Sequence, residues 1–339
     1  MKLTISTRRL ELKHTWTIAR GSADHKEYNY VALEHEGVTG LGEAAHNVRY
    51  GESLESIRKF LEGGRALLQT AEPWQFHELA LAIHRLDEKQ NAAKAALDIA
   101  LMDWITKKLD LPLYRFLGLN REKTPVTSFS IGIDKPKVMQ EKIRAAEEFP
   151  ILKIKLGGEH DEEIMRAVRE VTNCTLRVDA NEGWKDRQQA LDKIFWLEQM
   201  GVEFVEQPMP AGRLEDVAWL WERSPLPLVA DEDVRTVEDI PQLAQAYDGL
   251  NIKIMKAGGL QEGLRMIHVA RSLGMKIMLG CMVESSLGIT AAAHLSPLVD
   301  WADLDGSLLI KNDPYRGVQV EKGNLILPEG PGLGVEELE

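Results

Sequence analysis

The sequence predicts an α/β fold, a (β/α)7β TIM-type barrel that carries an α+β capping domain. From residue 125 onward, eight short β-rich runs alternate with seven amphipathic helical intervals, and six of the run starts, between 151 and 275, follow one another at 24 to 27 residues. That spacing is about one strand and one helix, and a series of such units closes into a parallel barrel. Before residue 125, strands come first and helices follow, which is typical of an α+β unit.

The N-terminal part is predicted to be a small sheet followed by helices. Runs of β-forming residues mark strands over 3–12 and 28–44, and the segment Glu-His-Glu-Gly within the second run supplies a hairpin turn. Apolar residues at three- and four-residue spacing predict helices over 53–69 and 73–89. An alanine-rich helix is predicted over 91–112, where a proline ends it.

The remaining runs define the barrel and its boundaries. Residues 1–120 are assigned to the capping domain, 121–312 to the barrel, and 313–339 to a strand-like segment that is expected to return to the cap. No long helix follows the last run, so the barrel is written (β/α)7β. The eight strands are predicted at 125–133, 151–157, 175–180, 202–208, 226–232, 250–255, 275–281 and 299–306.

Composition favours a small-molecule partner. The chain has 339 residues, 53 Asp and Glu against 41 Lys and Arg, and a net charge of −12. Without a basic run it lacks the electrostatic footprint for binding nucleic acid or an anionic membrane surface. No apolar stretch approaches the ~20 residues that cross a bilayer, and the N-terminal sequence has no signal-peptide core. A cytoplasmic protein is therefore expected, with Cys174 and Cys281 as reduced thiols.

Polar side chains, most of them charged, close six of the eight predicted barrel strands. In barrels of this type the catalytic groups lie at the carboxyl ends of the strands, so these residues are expected around one mouth. They are Lys153 and Lys155 on the second strand, Asp179 and Asn181 on the third, Glu206 on the fourth, Asp231 on the fifth, Lys253 on the sixth, and Asp303 and Asp305 on the eighth.

Three of the acids, Asp179, Glu206 and Asp231, close adjacent strands and are expected to converge. Crowded carboxylates repel one another unless a cation neutralises them, and an all-oxygen set without His or Cys suits Mg²⁺. The alternative is that each acid only caps the helix that follows it, because Asp is a favourable N-cap residue. The occurrence of three acids on three adjacent strands favours the metal site.

The lysines are expected to approach a bound substrate from two sides. The second and sixth strands of an eight-stranded barrel are diametrically opposed, which places Lys155 and Lys253 on opposite faces of a central ligand. Lys153 and Lys155 share a face through the two-residue period of a strand, so the charge of one is expected to lower the pKa of the other toward that of a working base. A solvated surface pair is the alternative.

Asp303 and Asp305 share a face of the last strand by the same period. They lie on the strand opposite the one that carries Glu206, away from the predicted metal site, so they predict an anionic pocket for a cation such as a substrate ammonium. The alternative is a simple turn, because Asp-Gly sequences are common in turns.

Together these motifs resemble the dipeptide epimerases of the muconate lactonising enzyme branch of the enolase superfamily. The resemblance covers essentially the whole chain, because KIKLG, VDANEGW, FVEQP, ADE and NIKIMKAGG occur in order on the expected strands. The segment AAKAALDIALMDW is similar to the alanine-rich helix of that branch, and Asp-Leu-Asp-Gly is similar to its Asp-x-Asp motif. The sequence departs from the common pattern at Asp233, where serine is frequent.

The resemblance implies an enzyme that transfers a proton at the α-carbon of the second residue of a dipeptide, through an enediolate intermediate. It implies one Mg²⁺ per subunit. Lys256 is a rival for the strand-six role, but its three-residue offset is expected to turn it away from the face that carries Lys253. Carried over position by position, the implied roles are Mg²⁺ ligands at Asp179, Glu206 and Asp231, opposed acid/base groups at Lys155 and Lys253, catalytic support and substrate contact at Lys153, and ammonium binding at Asp303 and Asp305.

Specificity is expected to come from the cap. Its predicted contact loops are 17–24 and 46–53, and Arg20 in the first is expected to contact the second residue of the dipeptide. Asn181 is expected to support the metal ligands from behind. Glu284, after the seventh strand, is expected near the rim, either in contact with a polar or cationic side chain of the substrate or in a similar supporting position.

The sequence leaves other readings open. An o-succinylbenzoate synthase or muconate-type cycloisomerase would use the same lysines and metal, although two acids at strand eight disfavour a substrate without an ammonium group. A histidine-dependent sugar-acid dehydratase is disfavoured because none of the nine His closes a predicted strand. A non-catalytic binding protein would be expected to lack a ligand or a lysine. The preferred dipeptide and the oligomeric state stay open, with a homo-oligomer among the alternatives.

Overall fold

The first three strands form an antiparallel sheet in which the chain doubles back twice. In the computed structural model, which describes residues 1–19 and 21–338, β1 (Lys2–Ile18) pairs with β2 (Gly21–His35) and β2 pairs with β3 (Val38–Ala44). The predicted turn between the last two strands is confirmed, with Glu36 and Gly37 at φ values of 47° and 74°.

The hairpin formed by β1 and β2 is longer than the sequence indicates. The prediction of a loop over 17–24 is wrong, because Thr17 pairs with Ser22 and Ile18 with Gly21 across the two strands. This extended arm reaches the barrel, where the Ile133 amide donates a hydrogen bond of 2.9 Å to the carbonyl of Thr17. The second predicted contact segment, 46–53, is a loop that contains one short 3₁₀ turn.

Five helices follow the sheet. The single helix predicted over 53–69 is divided at Gly63 and Gly64, where the low helix propensity of glycine ends one helix and the next begins. The alanine-rich helix starts at the predicted residue and ends four residues earlier than predicted. The helices are α1 (Leu54–Gly63), α2 (Arg65–Thr70), α3 (Phe76–His84), α4 (Asn91–Lys108) and α5 (Leu113–Phe116).

Helix α4 packs directly on strand β3. A Cβ atom at Gly40 would lie 2.0 Å from the carbonyl oxygen of Ala100, and one at Gly42 would lie 2.0 Å from that of Ala96. The two backbones therefore touch, which only glycine allows on the strand and which small side chains favour on the helix. This contact explains the Gly-Leu-Gly and alanine-rich segments of the sequence.

Eight parallel strands, β4 to β11, form one sheet in chain order. The first and last approach each other where the Ser128 amide donates a 3.0 Å hydrogen bond to the carbonyl of Ala302, which closes the barrel. The predicted (β/α)7β barrel beside an α+β unit is confirmed. The strands are β4 (Phe129–Ile131), β5 (Ile151–Lys155), β6 (Thr175–Asp179), β7 (Val202–Glu206), β8 (Leu228–Ala230), β9 (Gly249–Ile252), β10 (Lys276–Gly280) and β11 (Trp301–Asp303).

Helices fill the seven connections between these strands. In the connection from β9 to β10, the short α11 begins directly at the end of its strand. The helices are α6 (Pro136–Ala145), α7 (Asp161–Arg169), α8 (Arg187–Gln199), α9 (Leu214–Trp221), α10 (Ile240–Leu243), α11 (Ile254–Ala257), α12 (Leu260–Ser272) and α13 (Ser286–Ala293).

The C-terminal segment runs back over the N-terminal part. The ring centroids of Tyr30 on β2 and Tyr315 lie 5.6 Å apart, and the Leu333 amide donates a 2.8 Å hydrogen bond to Oδ1 of Asp103 on α4. No helix within residues 1–19 and 21–338 is long and apolar enough to cross a membrane. The segment contains two antiparallel pairs, β12 (Tyr315–Arg316) with β15 (Glu336–Glu337) and β13 (Gln319–Glu321) with β14 (Asn324–Ile326).

Candidate active site

Three carboxylates meet at one end of the barrel. Asp179 and Glu206 end β6 and β7, Asp231 follows β8, and one oxygen of each lies within 4.8 Å of those of the other two. All three residues are at most 1% exposed. Because the donors are all carboxylate oxygens at short separation, the cluster fits a hard divalent cation such as Mg²⁺.

The crowding of these acids is visible in their electrostatics. Burial, with the added repulsion of Asp179, raises the pKa of Glu206 to about 7. The side-chain amide of Asn251 donates a 2.7 Å hydrogen bond to Oε1 of Glu206 and fixes its orientation. A divalent cation would relieve this repulsion. Asn251 was not among the predicted site residues. Its two-residue spacing from Lys253 could have placed it on the same face of the strand.

Two lysines face a common cavity from opposite sides of the barrel. Nζ of Lys155 on β5 lies 2.6 Å from Oδ2 of Asp179, and Nζ of Lys253 lies 2.8 Å from Oδ2 of Asp231. Lys155 ends β5 and Lys253 follows β9, and these strands are four apart in the closed sheet of eight. Both lysines line a cavity of about 350 Å³. This arrangement can present an amine to each face of a ligand bound between them.

Lys153 lies beneath the cavity, outside its lining. Its Nζ is 2.5 Å from Oε2 of Glu206 and 2.7 Å from Oδ2 of Asp303, and the side chain is 1% exposed. Although burial alone lowers the pKa of Lys153, the charges of Asp303, Glu206 and Asp179 outweigh it and raise that pKa well above its usual value. The predicted lowering of the pKa by the neighbouring lysine therefore does not occur at Lys153, because the surrounding carboxylates dominate its electrostatics. Lys153 links the acid triad to the strand-eight acids.

Lys256 contacts the acid triad, so the prediction that it points away is wrong. Its Nζ lies 2.6 Å from Oδ1 of Asp231, while Lys253 contacts the other oxygen of the same carboxylate. Strand β9 ends at Ile252 and α11 begins at Ile254, so Lys253 and Lys256 are related by a helical turn. Residues three apart on a helix lie on the same side, whereas the prediction used the two-residue strand period.

The strand-eight acids form one end of the cavity. Oγ of Ser128 donates a 2.6 Å hydrogen bond to Oδ1 of Asp303, and the Ser130 amide donates one of 2.6 Å to Oδ2 of Asp305. Burial, followed by the charge of Asp303, raises the pKa of Asp305 to about 7. The two carboxylates are thus held by hydrogen bonds and lie close enough that the charge of Asp303 disfavours ionisation of Asp305. A cationic ligand would relieve this repulsion. Ser128 and Ser130 alternate with Phe129, a strand pattern that could have identified them.

The other predicted residues occupy different depths. Asn181 lines the cavity, and its backbone amide donates a 2.9 Å hydrogen bond to Oδ1 of Asp179. Glu284 is buried below the rim, where its Oε1 accepts a 2.7 Å hydrogen bond from the Met282 amide. Arg20 lies outside the described residues, so its predicted substrate contact stays a prediction.

Comparison with known families gives two matches that together span most of the chain. Residues 1–118 match the mandelate racemase/muconate lactonizing enzyme N-terminal domain, and residues 138–339 match the enolase C-terminal domain-like family. The chain belongs to the mandelate racemase/muconate lactonizing enzyme family. As expected from its motifs, this member of the family has dipeptide epimerases among its relatives.

Relatives of this family member have several names. An L-Ala-D/L-Glu epimerase of Bacteroides thetaiotaomicron is 46% identical over 100% of this chain and 88% of its own. An L-Ala-D/L-amino acid epimerase of Pedosphaera parvula is 43% identical over 95% and 94% of the two chains. A solved dipeptide epimerase from Cytophaga hutchinsonii, complexed with Mg and the dipeptide D-Ala-L-Val, has a TM-score of 0.95 at 28% identity and covers 99% of this chain and 95% of its own.

Proposed function

We propose that the protein is a Mg²⁺-dependent dipeptide epimerase that inverts the α-carbon of the second residue. The observation that carries the proposal is the placement of Lys155 and Lys253 on opposite sides of one cavity, next to a buried triad of carboxylates. The names of the relatives support a dipeptide as the substrate. Inversion requires exchange of a proton between two faces of one carbon, for which two opposed amines are suited.

Each lysine has a defined part in the proposed proton transfer. With the α-carbon between them, the neutral amine of one lysine accepts the α-proton, and the ammonium of the other then donates a proton to the opposite face. One proton leaves the carbon and one is added, so the substrate is inverted and otherwise unchanged. For the opposite epimer the roles of Lys155 and Lys253 are exchanged.

The triad of Asp179, Glu206 and Asp231 would hold the Mg²⁺. When bound, the cation supplies positive charge that offsets the negative charge developing on the substrate carboxylate as the α-proton leaves. Asn251 orients Glu206 through its hydrogen bond, and Lys153 supports the same carboxylate from beneath.

We further propose that Asp303 and Asp305 hold the α-ammonium of the dipeptide. They line the same cavity as the two lysines, and an extended dipeptide spans about 7 Å, at ~3.3–3.6 Å per residue. A cycloisomerase substrate without an ammonium group would place no positive charge beside these acids, which disfavours that alternative.

The division of the chain and its location are also proposals. The cap is proposed to comprise residues 1–120 and the barrel 121–312, with 313–339 returning to the cap; the hydrogen bond from Leu333 to Asp103 supports that return. A cytoplasmic location is proposed on the sequence grounds given above, and the two free cysteines are compatible with a reducing compartment.

The function is tested by α-proton exchange. Purified protein is incubated in D₂O with Mg²⁺ and a panel of L-Ala-L-Xaa dipeptides, and mass spectrometry follows the gain of one deuterium while chiral chromatography follows the new epimer. Incorporation and epimer formation are expected together, and neither with a K155A/K253A variant. Absence of exchange with every dipeptide, combined with turnover of a succinylbenzoate precursor, would favour the cycloisomerase reading instead.

A further inference from the structure

The short helix α11 fixes the backbone of Lys253. Lys253 is its N-cap residue, and the amides of Lys256 and Ala257 each donate a hydrogen bond of 2.9 Å to the carbonyl of Lys253. A helix of four residues is not stable by itself, because the first turn fixes several residues for a single hydrogen bond. The position of Lys253 therefore depends on the contacts that hold α11 from outside.

Helix α4 of the cap supplies those contacts. Nδ2 of Asn91, the first residue of α4, donates a 2.7 Å hydrogen bond to the carbonyl of Lys256. Two turns further along α4, Oδ2 of Asp98 accepts a 2.6 Å hydrogen bond from the amide of Leu260, the first residue of α12. A Cβ atom at Gly259 would lie 2.4 Å from Oδ2 of Asp98, so glycine is required for this approach. Helix α4 thus holds the end of α11 and the beginning of α12.

The side-chain amide of Asn91 is oriented by a second buried residue. Nζ of Lys94 donates a 3.0 Å hydrogen bond to Oδ1 of Asn91, and both side chains are buried. Because an ammonium can only donate, it binds the oxygen of the amide and leaves the NH₂ group for the carbonyl of Lys256. The same turn of α4 holds the cap loop that contains Glu52, since the Ala92 amide donates a 3.0 Å hydrogen bond to Oε1 of Glu52. The first turn of α4 therefore connects a cap loop to the lysines that follow β9.

The two lysines of the proposed mechanism are held differently. Lys155 is the last residue of β5, which lies between the barrel strands β4 and β6. Lys253 follows β9, at the start of a turn that a cap helix holds. Misplacement of a reacting group by about 1 Å can lower a rate by about 10²-fold. Loss of the contact with α4 is therefore expected to affect proton transfer on one face of the substrate.

We propose that Asn91 is a positioning residue, which holds Lys253 in place for proton transfer through the carbonyl of Lys256. The proposal rests on the proposed epimerase function, to which it adds that the cap positions one of the two proton carriers. Inversion in either direction uses both lysines, so loss of the Asn91 contact is expected to slow inversion both ways. Exchange of the α-hydrogen without inversion uses one lysine, so it is expected to slow only for the epimer whose hydrogen faces Lys253.

The test measures α-hydrogen exchange for each epimer separately. The wild type, N91D, K94M and N324D are incubated in D₂O with Mg²⁺ and either epimer of the preferred dipeptide, and mass spectrometry gives the rates. K155A and K253A identify the epimer that each lysine serves. N324D is the matched control, because Nδ2 of Asn324 also donates to a backbone carbonyl, at 3.1 Å, on the exposed strand β14.

The N91D variant replaces the donor to Lys256 by an oxygen and can keep the bond from Lys94. Exchange of the epimer served by Lys253 is expected to fall about 10- to 100-fold, mainly in kcat, and exchange of the other epimer by less than about 2-fold. K94M leaves the amide of Asn91 in place without its orienting bond, so a smaller fall for the same epimer is expected. N324D should exchange both epimers at the wild-type rates.

The difference between the epimers separates positioning from a general loss of structure. N91D removes a buried hydrogen bond and is expected to unfold at a lower temperature than the wild type, whereas K94M removes a buried charge and provides the test if N91D does not fold. An equal fall for both epimers, or unchanged rates, would overturn the role of Asn91 and leave the epimerase function intact. Absence of exchange with every dipeptide in the wild type would overturn both.

Discussion

The guanidinium of Arg49 donates two hydrogen bonds to the carboxylate of Glu182, at 3.0 and 2.8 Å. Arg49 lies in the cap loop 46–53, and Glu182 follows β6, three residues after Asp179. The same carboxylate accepts a 2.9 Å hydrogen bond from the Ala211 amide, so it is fixed on the barrel side. This ion pair ties a loop of the cap to the strand end that carries part of the acid triad.

Replacement of Arg49 by Gln is expected to raise KM about 3- to 10-fold with little change in kcat, a modest effect because the pair is partly exposed. The loop would then be less restrained over the cavity that the substrate enters. Steady-state kinetics with the preferred dipeptide check this expectation. R49K, which keeps the charge without the two-pronged geometry, should lie between R49Q and the wild type, and a wild-type KM in R49Q would show that the ion pair does not position the loop.

Single replacement of Lys155 or Lys253 by Ala is expected to lower epimerisation by at least about 10³-fold, because inversion needs a proton carrier on each face. Each variant keeps one lysine, and so should still exchange the α-hydrogen of one epimer with D₂O. The two variants should differ in which epimer they exchange. The measurement is deuterium content of L- and D-epimers incubated separately, and exchange of both epimers by a single variant would contradict the assignment of one face to each lysine.

Removal of the divalent cation is expected to abolish activity and to lower the unfolding temperature. At a Mg²⁺ concentration 100 times its Kd, binding to the native state adds about 2.7 kcal/mol to the free energy of unfolding. E206Q should lose most of this response, measured by calorimetry with and without a chelator. D233N is the matched control, since Asp233 instead accepts a 2.6 Å hydrogen bond from the Tyr247 hydroxyl. An equal Mg²⁺ response in both variants would contradict the triad.

Glu284 and Glu43 are expected to make stability depend on pH. Burial raises the pKa of Glu284 to about 8 and that of Glu43 to about 7, from ordinary values near 4.5. Because the folded state favours the protonated form of each acid, the contribution of each group to the free energy of unfolding is complete below pH 4.5. It is lost as the pH rises toward 8, where the buried group must ionise. Each group contributes a slope of up to about 1.4 kcal/mol per pH unit within that window.

The E284Q variant isolates one of these groups, because Gln resembles the protonated acid at every pH. Its free energy of unfolding, from urea titrations, should differ little from the wild type at pH 5 and should exceed it increasingly up to pH 8. E321Q, at an exposed position on β13, serves as the control. A difference between E284Q and the wild type that stays constant from pH 5 to 8 would show that Glu284 is ionised throughout.

The sequence predicted the barrel and the position of its charged residues because both follow from short periods. Alternation along each strand determines which side chains face inward, and the order of the strands determines which of them are neighbours or opposites. Asp179, Glu206 and Asp231 lie together because their strands are neighbours. Lys155 and Lys253 lie opposite each other because their strands are four apart in the barrel.

The sequence did not predict features that depend on the residue at which one type of secondary structure gives way to another. Lys256 reaches Asp231 because the strand gives way to a helical turn at Lys253, and no local pattern marks that residue as the change. The arm of the β1–β2 hairpin includes residues 17–18 and 21–24 because cross-strand pairs form there, whereas the sequence of this segment, with one glycine and several polar residues, favours a loop.

The hydrogen bond from the Leu333 amide to Asp103 joins helix α4 to a residue 230 positions later in the chain. At roughly 5–20 residues per second, a ribosome needs on the order of 10–50 s to add the residues that separate the two, so helix α4 is synthesised long before the amide that its buried carboxylate binds. The cap is therefore expected to reach its final packing only after the barrel has been synthesised.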